Sequence, residues 1–250
     1  MNGWQSSCFP RRKRKKSKII PRRSAGGFSE GDDMEIQVNG VRLWYTVKGQ
    51  GSPVILVHGN GESHRIFGPA IEDLSRDHRV YALDSRCHGN SQDTVEISYE
   101  LMARDLMGFL KAVEIEKPAF YGFSDGGILG LMIAIEEPEL LGRLIVSGAN
   151  LNPAGLRLIT RAGIRLMDLF RGSKLTKLML SEPYIDPEDL GKIRVPTVVV
   201  AGQWDVVKRK HTEQIAEHIP GAVLRFLPGE RHGSYIVNSP KLAPLLREYL

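Results

Sequence analysis

The sequence predicts an α/β fold, a single domain built on a mainly parallel sheet with helices on both faces. Two observations lead there. Short apolar runs alternate with amphipathic stretches of helical period along most of the chain. One of those runs, residues 118–121, passes through Gly122-Phe-Ser-Asp-Gly126 directly into the helical pattern that opens at Ile128. A serine on so tight a strand-to-helix turn presents its hydroxyl over the sheet edge, and glycines two before and two after it make the turn sterically possible.

Taken in order, the first elements are antiparallel. Residues 34–38 and 41–47 flank Asn39-Gly40, the strongest short hairpin signal. Strands are then expected near 53–57, 79–83, 118–122, 144–148, 196–201 and 222–227, which with the hairpin gives an eight-stranded sheet. Helices are expected near 64–75, 99–114, 125–137, 208–218 and 240–250. Residues 151–190 break the alternation, because two or three short amphipathic helices stand where one crossover would suffice; this predicts a short helical lid over the pocket. There Arg157, Arg161 and Arg165 fall four apart on one face, and Leu156, Ile159, Leu166 and Phe170 suit the other. A basic face of this kind is ordinarily solvated; the alternative is that it attracts anionic substrates or a membrane surface.

A chain of 250 residues with 42% hydrophobic content buries one sizeable core. Two cysteines, Cys8 and Cys87, leave no disulfide framework and fit a reducing, cytoplasmic setting. The apolar stretches are far short of the ~20 residues a membrane span needs, so no transmembrane segment is expected. The net charge of +5 is unevenly spread: residues 1–33 hold nine Lys/Arg against three Asp/Glu, leaving 25 against 26 for the rest. Residues 1–33 therefore read as a basic, disordered extension ahead of a near-neutral catalytic domain over 34–250. Met34, where the strand pattern begins, is a second candidate for the native start. Short basic runs also permit contact with nucleic acid or anionic lipid, without specificity.

The candidate nucleophile is Ser124. It requires a base, a carboxylate to hold that base in the right tautomer, and donors for an oxyanion. Asp205 follows the apolar run 195–204 and falls at a strand's carboxyl end; the bland alternative is an N-cap for the next helix. His232 follows the run 222–227 and the expected turn Pro228-Gly-Glu-Arg, again at a strand's carboxyl end. In open α/β sheets those ends converge on one crevice. Asp125, beside the serine, suits the helix N-terminus through the macrodipole. His88, His211 and His218 have no motif support, and the last two fall on an expected surface helix. No His/Cys cluster at metal spacing and no glycine-rich loop with a phosphate-binding lysine is present, so neither metal nor cofactor is implied.

From about Met34 onward the chain resembles the α/β-hydrolase superfamily, in particular its small single-domain esterase-like serine hydrolases. The resemblance rests on Gly122-Phe-Ser-Asp-Gly126, on His58-Gly59 after the strand 53–57, on the loop 84–91, on Asp205 and on His232-Gly233, in the order Ser, Asp, His. It implies a Ser124–His232–Asp205 triad, an oxyanion hole from the backbone N–H groups of Asn60 and Asp125, and a structural His58 that orients the oxyanion loop. It implies hydrolysis of a small ester, thioester or related acyl substrate. Relatives that cleave carbon–carbon bonds, lactones or N-terminal prolyl peptides share these motifs, as do noncatalytic ligand-binding proteins. A serine at the elbow argues against the dehalogenases and epoxide hydrolases, which use an aspartate. One departure stands out: the family's usual Arg-Gly-x-Gly is here Arg86-Cys-His-Gly89.

Overall fold

The computed structural model describes Ile19–Pro21 and residues 32–250. Its sheet runs β1 (Ile19–Pro21), β2 (Asp32–Val38), β3 (Val41–Lys48), β4 (Ser52–Val57), β5 (His78–Asp84), β6 (Ala119–Phe123), β7 (Arg143–Ser147), β8 (Thr197–Trp204) and β9 (Val223–Arg231). The spatial order is β1-β2-β3-β5-β4-β6-β7-β8-β9. The strands from β4 through β9 are parallel; β1, β2 and β3 pair antiparallel, and β3 joins the rest antiparallel to β5. All eight expected strands form, and Ile19–Pro21 adds a short edge strand beside β2 that periodicity did not announce. The hairpin opens at Asp32, two residues before Met34; most of the basic segment lies outside the described residues.

The helices are α1 (Gly68–Leu74), α2 (Tyr99–Ala112), α3 (Asp125–Glu136), α4 (Leu158–Arg171), α5 (Lys174–Ser181), α6 (Arg209–His218) and α7 (Leu242–Arg247). The sheet separates two apolar layers by the period of two that strands impose. Ile55, Val57, Leu83, Phe120, Leu144, Val146 and Val199 face one layer, shared with α2, α3 and α6. Val54, Leu56, Ala82, Tyr121, Ile145, Val198 and Val200 face the other, under α1 and α7. Burying one such Val, Ile or Leu side chain contributes roughly 1.5–3 kcal/mol. Both faces are covered, so the central strands read as unbroken apolar runs. Among the described residues no helix is long and apolar enough to cross a membrane.

Two expectations are corrected. Pro228–Arg231 is not a turn, since β9 continues to Arg231, and its register against β8 slips between Gly202 and Trp204. The bulge absorbs extra residues on β9 and swings the chain toward His232. In the lid, the apolar side of α4 does not pack. Ile164 is its one buried residue, whereas Leu158, Ile159, Leu169 and Phe170 are exposed at 74%, 82%, 78% and 77%. Leu156 lies outside the helix: it bridges Val207 in extended conformation and is buried there.

The departure at 86–89 also acquires a structural account. Arg86 donates through Nε to Asp105 Oδ2 at 2.6 Å and through its terminal nitrogen to Oδ1 at 2.9 Å, both residues being buried. This forked pair fastens the loop after β5 to α2. Cys87, where the family usually has glycine, sits at φ +63°. Removing one partner of a buried ion pair leaves the other charge uncompensated. Asp105→Ala is therefore expected to lower unfolding free energy by about 3–5 kcal/mol, read as a shift in denaturant midpoint at constant slope.

Candidate active site

The serine turn is shaped by backbone crowding. A Cβ at Gly122 would stand 2.1 Å from the Gly126 carbonyl oxygen, and one at Gly126 would stand 2.2 Å from that of Val57. Only glycine permits β6, α3 and β4 to approach so closely. Ser124 between them is held at φ +52° and ψ −110°, with its N–H donated to the Ser147 carbonyl at 2.7 Å. Its hydroxyl is thereby lifted over the carboxyl edge of the sheet.

Three of the expected residues meet there. His232 Nε2 lies 3.2 Å from Ser124 Oγ, and His232 Nδ1 lies 2.7 Å from Asp205 Oδ1. With the proton on Nδ1, the ring donates to Asp205 and accepts from the serine hydroxyl. Asp205 is buried and also accepts the Val207 N–H at 2.9 Å. Burial alone would push its carboxyl up; the hydrogen bond and charge interaction with His232, helped by backbone donors, hold it below its ordinary value. Phe123 packs on the imidazole, ring centroids 4.8 Å apart. An open depression of about 600 Å³ beside His232 is lined by Trp204, Val206, Arg231 and Gly233.

Asp125 follows Ser124 directly, and Asn60 follows Gly59, where a Cβ would stand 3.1 Å from that of Ser124. Asp125 is the first residue of α3, so its N–H has no partner within the helix. Its side chain does more than face the helix dipole: it accepts from Tyr99 Oη at 2.8 Å and from Asn60 Nδ2 at 3.0 Å. Burial raises the Asp125 carboxyl, against the lowering effect of those two donors. The loop 58–62 is thus tied to α3 and α2 through one carboxylate. Glu62, which no motif marked, closes the same loop by accepting the Gly59 N–H at 3.0 Å; burial pushes its carboxyl up.

His58 is fully enclosed. Its Nδ1 lies 2.7 Å from the Gly59 carbonyl, and its Nε2 accepts the Ser85 N–H at 3.1 Å. A neutral ring protonated on Nδ1 satisfies both. Burial, reinforced by His88, lowers it to about 4. His211 is not the bare surface residue expected, since its Nε2 accepts the Leu151 N–H at 2.8 Å where the lid begins. Gly148 also escaped sequence reasoning. It sits at φ +63° after β7, and a Cβ there would stand 2.6 Å from His232 Cε1. Its only signal was its place at the end of an apolar run.

The family of the α/β hydrolase fold matches residues 52–173. The human protein named Serine hydrolase BPHL is 27% identical over an alignment 252 positions long, covering 86% of this chain and 85% of that one. The 2-hydroxy-6-oxo-6-(2'-aminophenyl)hexa-2,4-dienoic acid hydrolase of Metapseudomonas resinovorans is 28% identical, covering 69% of this chain and 74% of its own. Among solved structures, the meta-cleavage product hydrolase CumD of Pseudomonas fluorescens IP01 superposes with a TM-score of 0.73 at 22% identity, covering 86% of this chain and 96% of that one.

Two outcomes are expected. Gly148→Ala should displace the imidazole and depress the rate of hydrolysis by at least about 100-fold, as small misplacements of catalytic groups do, with near-ultraviolet circular dichroism unchanged. His58 resists protonation in the native state, whereas the unfolded chain takes up its proton near pH 6.5. Its contribution to stability is therefore complete above that pH and is lost as pH falls toward 4, by about 3 kcal/mol at roughly 1.4 kcal/mol per pH unit. Denaturant midpoints followed from about pH 7 to about pH 4 measure this, and His58→Asn should lack that component.

Proposed function

We propose that this chain, which belongs to the α/β-hydrolase superfamily, is a cofactor-independent serine hydrolase of a small ester, thioester or related acyl substrate. The single observation that carries the reading is the continuous contact Ser124–His232–Asp205 at the mouth of the crevice. Ser124 Oγ attacks the acyl carbon while His232 Nε2 takes the hydroxyl proton. Asp205 holds the ring with Nδ1–H inward and stabilises the imidazolium that forms. The N–H groups of Asn60 and Asp125 receive the oxyanion. The imidazolium then gives its proton to the leaving oxygen or sulfur, and a water activated by the same ring hydrolyses the acyl-enzyme.

Residues from about 34 to 250 form the catalytic domain in this reading, with 151–190 as lid, and the cysteine content fits a reducing, cytoplasmic setting. A second reading is supported by the relative from Metapseudomonas resinovorans, whose name makes it the hydrolase of an oxo-dienoic acid. On that reading the same residues cleave a carbon–carbon bond beside a ketone. Parallel assays on acyl esters and on a vinylogous 1,5-diketo acid separate the two.

Labelling with a fluorophosphonate followed by peptide mapping is the direct test. A stoichiometric adduct on Ser124, absent in His232→Ala, is expected; folded protein that takes no label overturns the reading. Ser124→Ala and His232→Ala should each lower kcat by about 10⁴-fold or more, and Asp205→Asn by a similar factor through the wrong tautomer. Steady-state kinetics on any turned-over ester check this, and an unaffected variant would place the chemistry elsewhere.

A further inference from the structure

We infer that the exposed face of α4 is a docking surface for an anionic lipid membrane. At about 100° per residue, Leu158, Ile159, Leu166, Leu169 and Phe170 fall within roughly a third of the helix circumference. Their exposures run from 57% for Leu166 to 82% for Ile159. A contiguous apolar strip of this size is unusual on a monomer's surface and marks a place where something else packs. It does not belong to the core: Ile164, on the far side, is the residue through which α4 is anchored, together with Asp168, whose carboxylate accepts the Thr176 hydroxyl at 2.7 Å.

Charge says what packs there. Arg165 and Arg161 border the strip along one side, Arg157 and Arg171 lie farther round the helix toward Ile164, and none of the four forms an ion pair with another described residue. Asp168 is the single acidic residue of the helix and is turned to Thr176. Arg161 and Arg165 share with Leu158, Ala162, Leu166 and Leu169 an open groove of about 520 Å³. An apolar face bordered by arginines matches the boundary between acyl chains and anionic headgroups, where the side chains insert and the guanidinium groups meet phosphate. A second copy of the chain fits poorly, because a two-fold contact through this face would set arginines against arginines.

The position of the helix gives the contact a consequence. Arg157 N–H donates to the Val206 carbonyl at 2.9 Å, and Val207 N–H reaches Asp205. A membrane lying along α4 would border the crevice that holds His232.

Sedimentation of the full chain with vesicles tests the inference. One vesicle set is pure phosphatidylcholine and the other contains one-fifth phosphatidylserine. Binding to the phosphatidylserine set is expected, with a weaker association on the neutral set. Leu169→Asp with Phe170→Asp should reduce the bound fraction at least about tenfold by removing two buried apolar groups. Arg165→Glu should weaken binding to the anionic set alone, by roughly fivefold or more. All three sites are exposed and outside the proposed catalytic residues, so hydrolysis of a small water-soluble ester should be unchanged. Full binding by both variants would assign the contact to the basic N-terminal segment and overturn the inference. So would no binding by the full chain, or a concentration-dependent dimer that Leu169→Asp with Phe170→Asp dissolves.

Discussion

Ser124 keeps its backbone at φ +52° and ψ −110°, a conformation that costs a residue with a side chain on the order of 1–3 kcal/mol and persists only where its surroundings dictate it. Here the surroundings are carbonyl groups. β6 and α3 close on each other so tightly that neither flank of the turn tolerates a Cβ, and the Ser124 and Gly126 N–H groups are bound to the ends of β7 and β4. The strain is thus held by two buried strands and one helix packed over them. Every other distance in the site is measured from a hydroxyl whose position those contacts settle.

Around that fixed point the remaining groups are supplied by separate strand ends. β4 delivers the loop of Asn60, β7 the glycine that leaves room for the imidazole, β8 the Asp205 carboxylate and β9 the histidine itself. Side-chain bonds then couple these loops to the layer behind them. Asp125 joins Asn60 to Tyr99 of α2, and the Arg86–Asp105 pair holds the neighbouring loop to the same helix. α2 therefore serves as a buttress for the crevice although it contributes no group to the proposed chemistry.

Much of this was legible in the sequence because buried parallel strands announce themselves as apolar runs, and because a glycine-flanked serine between strand and helix has few other uses. Asp205 and His232 were visible from their places after such runs. What stayed hidden depends on contacts between segments distant in sequence. Nothing in the neighbourhood of Gly148 says that an imidazole will lie on it, and nothing near Tyr99 says that its hydroxyl will meet Asp125 across 26 positions. The α4 pattern was read correctly as amphipathic, but periodicity alone does not tell which side of a helix meets protein. The end of β9 was missed because Pro228-Gly229 has the chemistry of a turn, and the bulge that accommodates it is a property of the pairing with β8.

β9 is an edge strand, bonded among the described residues to β8 alone, and Val223 and Leu224 remain 48% and 37% exposed. His232 follows directly from it. Edge segments with one neighbour and little burial open at a fraction of the free energy needed to unfold a domain. The group on which the proposed proton transfer depends is thus mounted at the end of an edge strand, while its nucleophile is mounted at the centre. Fraying of that edge parts the imidazole from the serine hydroxyl without any melting of the core.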